Sequence, residues 1–92
     1  MQVSFYATLR QIVGQKTIEV AIPDGATIAQ LISAIVAAYP ALRPEILDAQ
    51  GDLHGHIHFF VNGRDVPYLE HQIDTVLHPD DIITVFPPVG GG

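Results

Sequence analysis

The sequence has no cysteine. Disulfides, thiolate metal sites and cysteine nucleophiles are therefore excluded together, and the composition is consistent with a reducing compartment. Fixed cations are scarce: Arg10, Lys16, Arg43 and Arg64 stand against ten Asp and Glu, giving a formal net charge of −6. Nucleic-acid binders carry a basic patch that neutralises phosphates, so no nucleic acid is expected among the partners. No apolar run is long enough to cross a bilayer, and no basic segment followed by a long apolar stretch opens the chain. The expectation is a soluble, cytoplasmic protein with no membrane partner. An acidic surface would suit a basic protein, although acidity alone is ordinary solubility chemistry.

What is present suffices for one small domain. Of the 92 residues, 48% are hydrophobic, enough for one modest core and no second. The eight Gly and seven Pro are dispersed rather than gathered in a low-complexity tract, which argues against disorder.

Along the chain, Val3, Phe5 and Ala7 alternate with Ser4, Tyr6 and Thr8, the pattern of a half-buried strand. Leu9 to Lys16 contains Gly14 and reads as a turn. Ile18, Val20 and Ile22 mark a second strand, paired with the first as a hairpin. Pro23-Asp24-Gly25 ends it. Thr27 and Gln30 form a capping box, and Ile28, Leu31, Ile32, Ile35, Val36 and Tyr39 follow at helical spacing. Pro40 ends that helix at Tyr39, because the residue before proline avoids the helical region.

Residues 41–56 read as irregular, with a short helical turn over Pro44 to Asp48. Ile57 to Val61 is a β-branched and aromatic run, hence a strand. Asn62-Gly63 is a tight-turn signal, and Arg64 to Val66 returns as a short strand. Pro67 to Asp81 is a loop with Ile73, Val76 and Leu77 tucked beneath it. Ile82 to Phe86 is the last strand. The order predicts an α+β fold, a mixed sheet with one main helix packed across one face. The first and last strands would lie side by side at its centre, which is the β-grasp arrangement. The domain would span residues 1–86, and 87–92 would form a flexible tail.

That tail reads Pro87-Pro88-Val89-Gly90-Gly91-Gly92. At a glycine frequency of about 7%, three in a row arise by chance at a given place roughly three times in ten thousand. The two prolines hold the chain extended, off the domain. Glycines have no side chain, so the backbone can thread a narrow slot in another protein. Six extended residues reach about 20 Å. The end is an α-carboxylate, ionised at neutral pH. Such a group can attack the α-phosphate of ATP in an adenylating enzyme, and the acyl-adenylate is then open to a sulfur or amine nucleophile. Composition alone also allows an ordinary frayed terminus.

The rest of the chain changes that weighting, because the whole of it resembles the MoaD/ThiS family of ubiquitin-like sulfur carriers. Val3 through Arg10 to Gly14 is similar to the family's first strand and turn, and Thr27 to Pro40 to its helix ending in Tyr-Pro. Val61-Asn62-Gly63 is similar to the exit of its third strand. Asp80-Asp81 through Phe86-Pro87-Pro88-Val89 and the glycines are similar to its closing motif. Asp80 departs from the usual glycine of a turn, and Gly90 fills a variable position.

The resemblance implies a ubiquitin-like β-grasp fold and a carrier role, with no catalysis by the chain alone. An adenylating enzyme of the MoeB/ThiF type, akin to ubiquitin-activating enzymes, would use ATP to activate Gly92. A persulfide donor would then convert Gly92 to a thiocarboxylate, with Gly91 beside it. The large subunit of molybdopterin synthase (MoaE type) would take the sulfur for molybdopterin. The chain itself would bind no cofactor. ThiS-like carriers tend to be shorter, which favours the MoaD side. The alternatives are sulfur delivery for thiamine, cysteine or tRNA thiolation, a ubiquitin-like modifier joined to lysines by isopeptide bonds, and a pure interaction domain with an inert tail.

Strand alternation adds a partner surface. With Val3, Phe5, Ile83 and Val85 facing the helix, Tyr6, Ile82 and Phe86 face outward as an exposed apolar patch. The resemblance places partner contacts at Tyr6 and Phe86. Scattered surface hydrophobics are otherwise normal. His54, His56 and His58 would share one face of a strand, as zinc ligands do. However, His54-Gly55-His56 reads as loop with no carboxylate fixed nearby, so no metal is expected.

Overall fold

The structure, a computed structural model, describes residues 1–87. In chain order the elements are β1 (Gln2–Phe5), α1 (Ala7–Val13), β2 (Thr17–Glu19), α2 (Ile28–Ala38), α3 (Arg43–Ile46), β3 (His58–Val61), β4 (Arg64–Asp65) and β5 (Ile83–Phe86). Short 3-10 turns occupy Pro40–Leu42, Val66–Tyr68 and Gln72–Asp74.

The strands form one mixed sheet in the order β2-β1-β5-β3-β4. β1 and β5 run parallel at its centre, with Val3 opposite Ile83 and Phe5 opposite Val85. The β1–β2, β3–β4 and β3–β5 pairs are antiparallel, with α1 rather than a tight turn between β1 and β2. This is the β-grasp arrangement. One sheet face, carrying Val3, Phe5, Ile18, Phe59, Val61, Ile83 and Val85, is buried in a common core with Ile28, Leu31, Ile32 and Ile35 of α2.

The local reading of α2 follows from its cap. Thr27 Oγ1 accepts from the Gln30 N–H at 3.3 Å, and Gln30 Oε1 accepts from the Thr27 N–H at 2.8 Å. These bonds satisfy donors that a helix start leaves free. Tyr39 is the C-cap and Pro40 begins a 3-10 turn. At the β3–β4 turn, Asn62 and Gly63 both have positive φ, 54° and 84°, as a two-residue hairpin of type I′ requires. Asn62 also ties that turn to the start of β5. Its Oδ1 accepts from Ile82 N–H at 2.8 Å, and its Nδ2 donates to Asp81 at 2.9 Å.

The structure corrects four details. The first strand stops at Phe5 rather than continuing through Ala7, and residues 7–13 are helix rather than turn. Ala7 adopts φ +54°, which swings the chain out of the sheet; Leu9 fills the core from α1, and Ala7 is exposed. Gly14, at φ +87°, is the left-handed cap that ends α1, with its N–H donating to Arg10 O. Val66 belongs to a 3-10 turn instead of β4, and Ile57 lies just outside β3, although both are buried. Val76 is 51% exposed, whereas Leu77 beside it is buried. The reason is its isolated bridge to Thr27: in such extended pairing neighbours alternate sides, so only one of the two can enter the core.

Candidate functional site

The sheet face away from α2 carries the candidate site. Because β1 and β5 are parallel with Phe5 opposite Val85, the residues just beyond that pair, Tyr6 and Phe86, come alongside each other. The Tyr6 N–H donates to Val85 O at 3.2 Å, extending the ladder. The two rings stack with centroids 4.4 Å apart and an interplanar angle of 10°. Phe60, from β3, meets Phe86 edge-on at 5.6 Å and 83°. His58 stacks on Phe60 at 6.0 Å. The Lys16 ammonium lies 5.2 Å from the centre of the Tyr6 ring, close enough for a cation–π contact.

A strip therefore crosses the sheet from edge to edge. It runs Lys16, Tyr6, Phe86, then Phe60 with His58, and ends at Asp65 on β4. Asp65 holds the far end by four contacts. Its Oδ2 pairs with His58 Nδ1 at 2.8 Å, and its Oδ1 accepts from the N–H groups of Phe59 and Val66 at 3.2 and 2.9 Å while its backbone pairs with Phe60. A carboxylate is thus fixed at His58, contrary to the sequence reading. His54 and His56 stack on each other at 5.5 Å in the loop before β3, apart from that pair. No group of three potential metal ligands occurs among the described residues.

The predicted patch is brought together only in part. Tyr6 and Phe86 meet, and they are half-buried because each covers a face of the other. Ile82 is 66% exposed but sits four residues before Phe86, about 13 Å along the strand. It lines a separate open cleft with Gln2, Glu19, Val76 and Asp80. Phe60, Asp65 and Lys16 are not among the residues the sequence singles out, and His58 is there only as a candidate zinc ligand. The outward direction of Phe60 was readable from the inward packing of Phe59, but its meeting with Phe86 depends on the β3–β5 register, which alternation does not specify.

β5 ends at Phe86, inside the strip, and Pro87 is the last described residue. Of the predicted tail, Pro88, Val89, Gly90, Gly91 and Gly92 lie outside the described residues. Whatever grips the strip therefore stands at the root of the glycine segment.

Comparison with known proteins agrees with this geometry. The profile of the ThiS family matches residues 3–92. The chain is 35% identical over 92 residues to small archaeal modifier protein 3 of Haloferax volcanii, covering 100% of this chain and 98% of that protein. The crystal structure of the modifier SAMP1 from Haloferax volcanii superposes with a TM-score of 0.88 at 29% identity, covering 100% of this chain and 98% of that one. A Pyrococcus furiosus protein provisionally assigned as molybdopterin converting factor subunit 1 superposes with a TM-score of 0.75 at 29% identity, covering 96% and 95%. No helix among the described residues is long and apolar enough to cross a membrane.

Proposed function

Starting from the fact that this chain belongs to the ThiS family, in the ubiquitin-like MoaD/ThiS group, we propose that it carries an activated C-terminal carboxylate, at Gly92, for a partner enzyme. The body, residues 1–86, docks through Tyr6, Phe86 and Phe60, and residues 87–92 enter the partner's active site. The observation that carries this reading is the position of Phe86. It is at once the last residue of the central strand and the middle ring of the aromatic strip. Docking there fixes the origin of a glycine segment with a reach of about 20 Å. Aromatic side chains at a surface that also bears the functional segment are the usual anchors of an interface.

The chemistry follows from the carboxylate. An oxygen of Gly92 attacks the α-phosphorus of ATP in an adenylating enzyme of the MoeB/ThiF type, and pyrophosphate leaves. A persulfide then attacks the acyl-adenylate and AMP leaves. A second thiolate attacks the donor's sulfur in the resulting acyl disulfide. A disulfide forms between those two thiols, the S–S bond to the acyl sulfur breaks, and Gly92 leaves with that sulfur as a thiocarboxylate. The likeness to the Pyrococcus furiosus protein favours molybdopterin assembly as the destination, with a MoaE-type subunit as the acceptor enzyme. The relationship to small archaeal modifier protein 3 supports a second fate, attack by a lysine amine to give an isopeptide-linked modifier.

Co-expression with adenylating enzymes and a persulfide donor tests the reading. Intact mass should reveal replacement of one oxygen by sulfur at the C-terminus. Absence of any adenylate or thiocarboxylate with all such enzymes of the source cell would sink it. The modifier fate has its own signature. The last tryptic site is Arg64, so a digested conjugate would carry the branch Asp65 to Gly92 on a target lysine.

A further inference from the structure

The amine inventory of this molecule is unusually short. Lys16 is the only lysine in the sequence. The α-amine of Met1 is engaged, donating to Val20 O at 2.9 Å in a partly buried bond and lying 3.3 Å from Glu19 Oε1. Lys16 is exposed. Its backbone is fixed, since Lys16 O accepts from Phe5 N–H at 2.7 Å and the next residue, Thr17, bonds Ser4 through their hydroxyls at 2.9 Å. The side chain therefore leaves a rigid sheet edge and places its nitrogen on the face of Tyr6.

We propose that Lys16 is a modification site, at which acylation by the activated tail of a second copy of this chain silences the copy that receives it. The proposal rests on the functional reading above. The unprotonated Lys16 Nζ attacks the Gly92 carbonyl carbon of the second copy's acyl-adenylate. The C–N bond forms, the C–O bond to phosphate breaks, AMP leaves with the electron pair, and the nitrogen's extra proton passes to solvent. No oxidant or reductant is involved.

Two consequences follow at the acceptor. The ammonium becomes a neutral amide, so the cation–π contact with Tyr6 is lost. A whole second domain is also tethered beside Tyr6 and Phe86, where a partner must seat. The acceptor's own tail then loses access to the activating enzyme, and self-conjugation limits itself. A conjugate built through the Met1 amine would leave the strip open, because Met1 lies at the other end of β1 from Tyr6.

The first arm of the test needs no enzyme. One batch of full chain carrying Lys16→Arg, so that the donor offers no lysine of its own, is prepared as a Gly92 thioester and mixed with unactivated wild-type chain. The expected product is an isopeptide dimer. Its tryptic digest contains the peptide from Gln11 to Arg64, uncut at the acylated Lys16 and at the Arg43-Pro44 bond and bearing the branch Asp65 to Gly92. Lys16→Arg keeps a cation on Tyr6 but offers no acylable amine, so that variant as acceptor should give no such dimer. Linkage through Met1, equal dimer yield from the Lys16→Arg acceptor, or no dimer would each overturn the assignment.

The second arm gives the purified dimer to the adenylating enzyme with ATP. Its only free tail belongs to the acceptor copy, so tail adenylation reads the acceptor's docking directly. Its rate should fall at least about tenfold below that of the free chain, as loss of an interface anchor does. Equal rates would overturn the silencing. If the free chain itself is never activated, the functional reading fails, while the first arm still decides whether Lys16 is the acceptor amine.

Discussion

Tyr6 and Phe86 each present one ring face to the other, so their energetic roles are coupled. Replacing either by Ala should lower affinity for the proposed adenylating partner about tenfold or more. The double variant should lose less than the product of the two, because each single change already breaks the stack. Calorimetric titration measures this, with circular dichroism confirming that the fold is kept. Asp65 plays the opposite part, holding the strip from beneath through its bonds to Phe59, Val66 and His58. Asp65→Ala frees two backbone donors and should cost about 1–3 kcal/mol in urea unfolding. Asp65→Asn retains an acceptor oxygen for those donors and should cost less. Equal losses would mean that the charge, not the hydrogen-bond geometry, is what matters there.

Elements in this chain are set by their ends. The α2 capping box is formed as a reciprocal pair, and Thr27→Ala should destabilise the protein by about 1 kcal/mol, seen as a lower urea midpoint with unchanged slope. That box, the Pro40 stop and the Asn62-Gly63 hairpin were legible in the sequence because each depends on residues close together in the chain. The element missed, α1, shows where local reading stopped. Gly14 is a turn residue, as its type suggests, but it closes a helix rather than a hairpin loop. The cue would have been Leu9 and Ile12, three apart ahead of a glycine cap. The opening alternation through Ala7 outweighed it, and nothing local announced the positive φ at Ala7.

For the molecule as a whole, the parallel β1–β5 pair carries two jobs: its inner face closes the core on α2, and its outer end forms the strip and leads into the tail. Phe59 links them, being fully buried beneath the strip and adjacent to Phe60. Phe59→Ala should cost about 3–5 kcal/mol, much of the stability of so small a domain, and should impair tail activation through unfolding. Removing Gly91 and Gly92 should leave the melting transition unchanged while abolishing activation. Thermal unfolding and adenylation assays run side by side separate the two cases.

The sequence by itself determined the α+β class, the central placement of the first and last strands, the main helix with both ends, and the chemical character of the glycine tail. The strand placement follows from the order of the elements and the family resemblance; the rest follow from periodicity, capping and residue type, which are properties of neighbours in the chain. Tertiary structure alone decided that Phe60 and His58 join Tyr6 and Phe86, that Ile82 falls into a different cleft, that Asp65 reaches His58, and that the single lysine rests on the ring beside the tail's root. Each depends on strand register, and register is fixed only when the strands pair into one sheet whose inner face closes on α2.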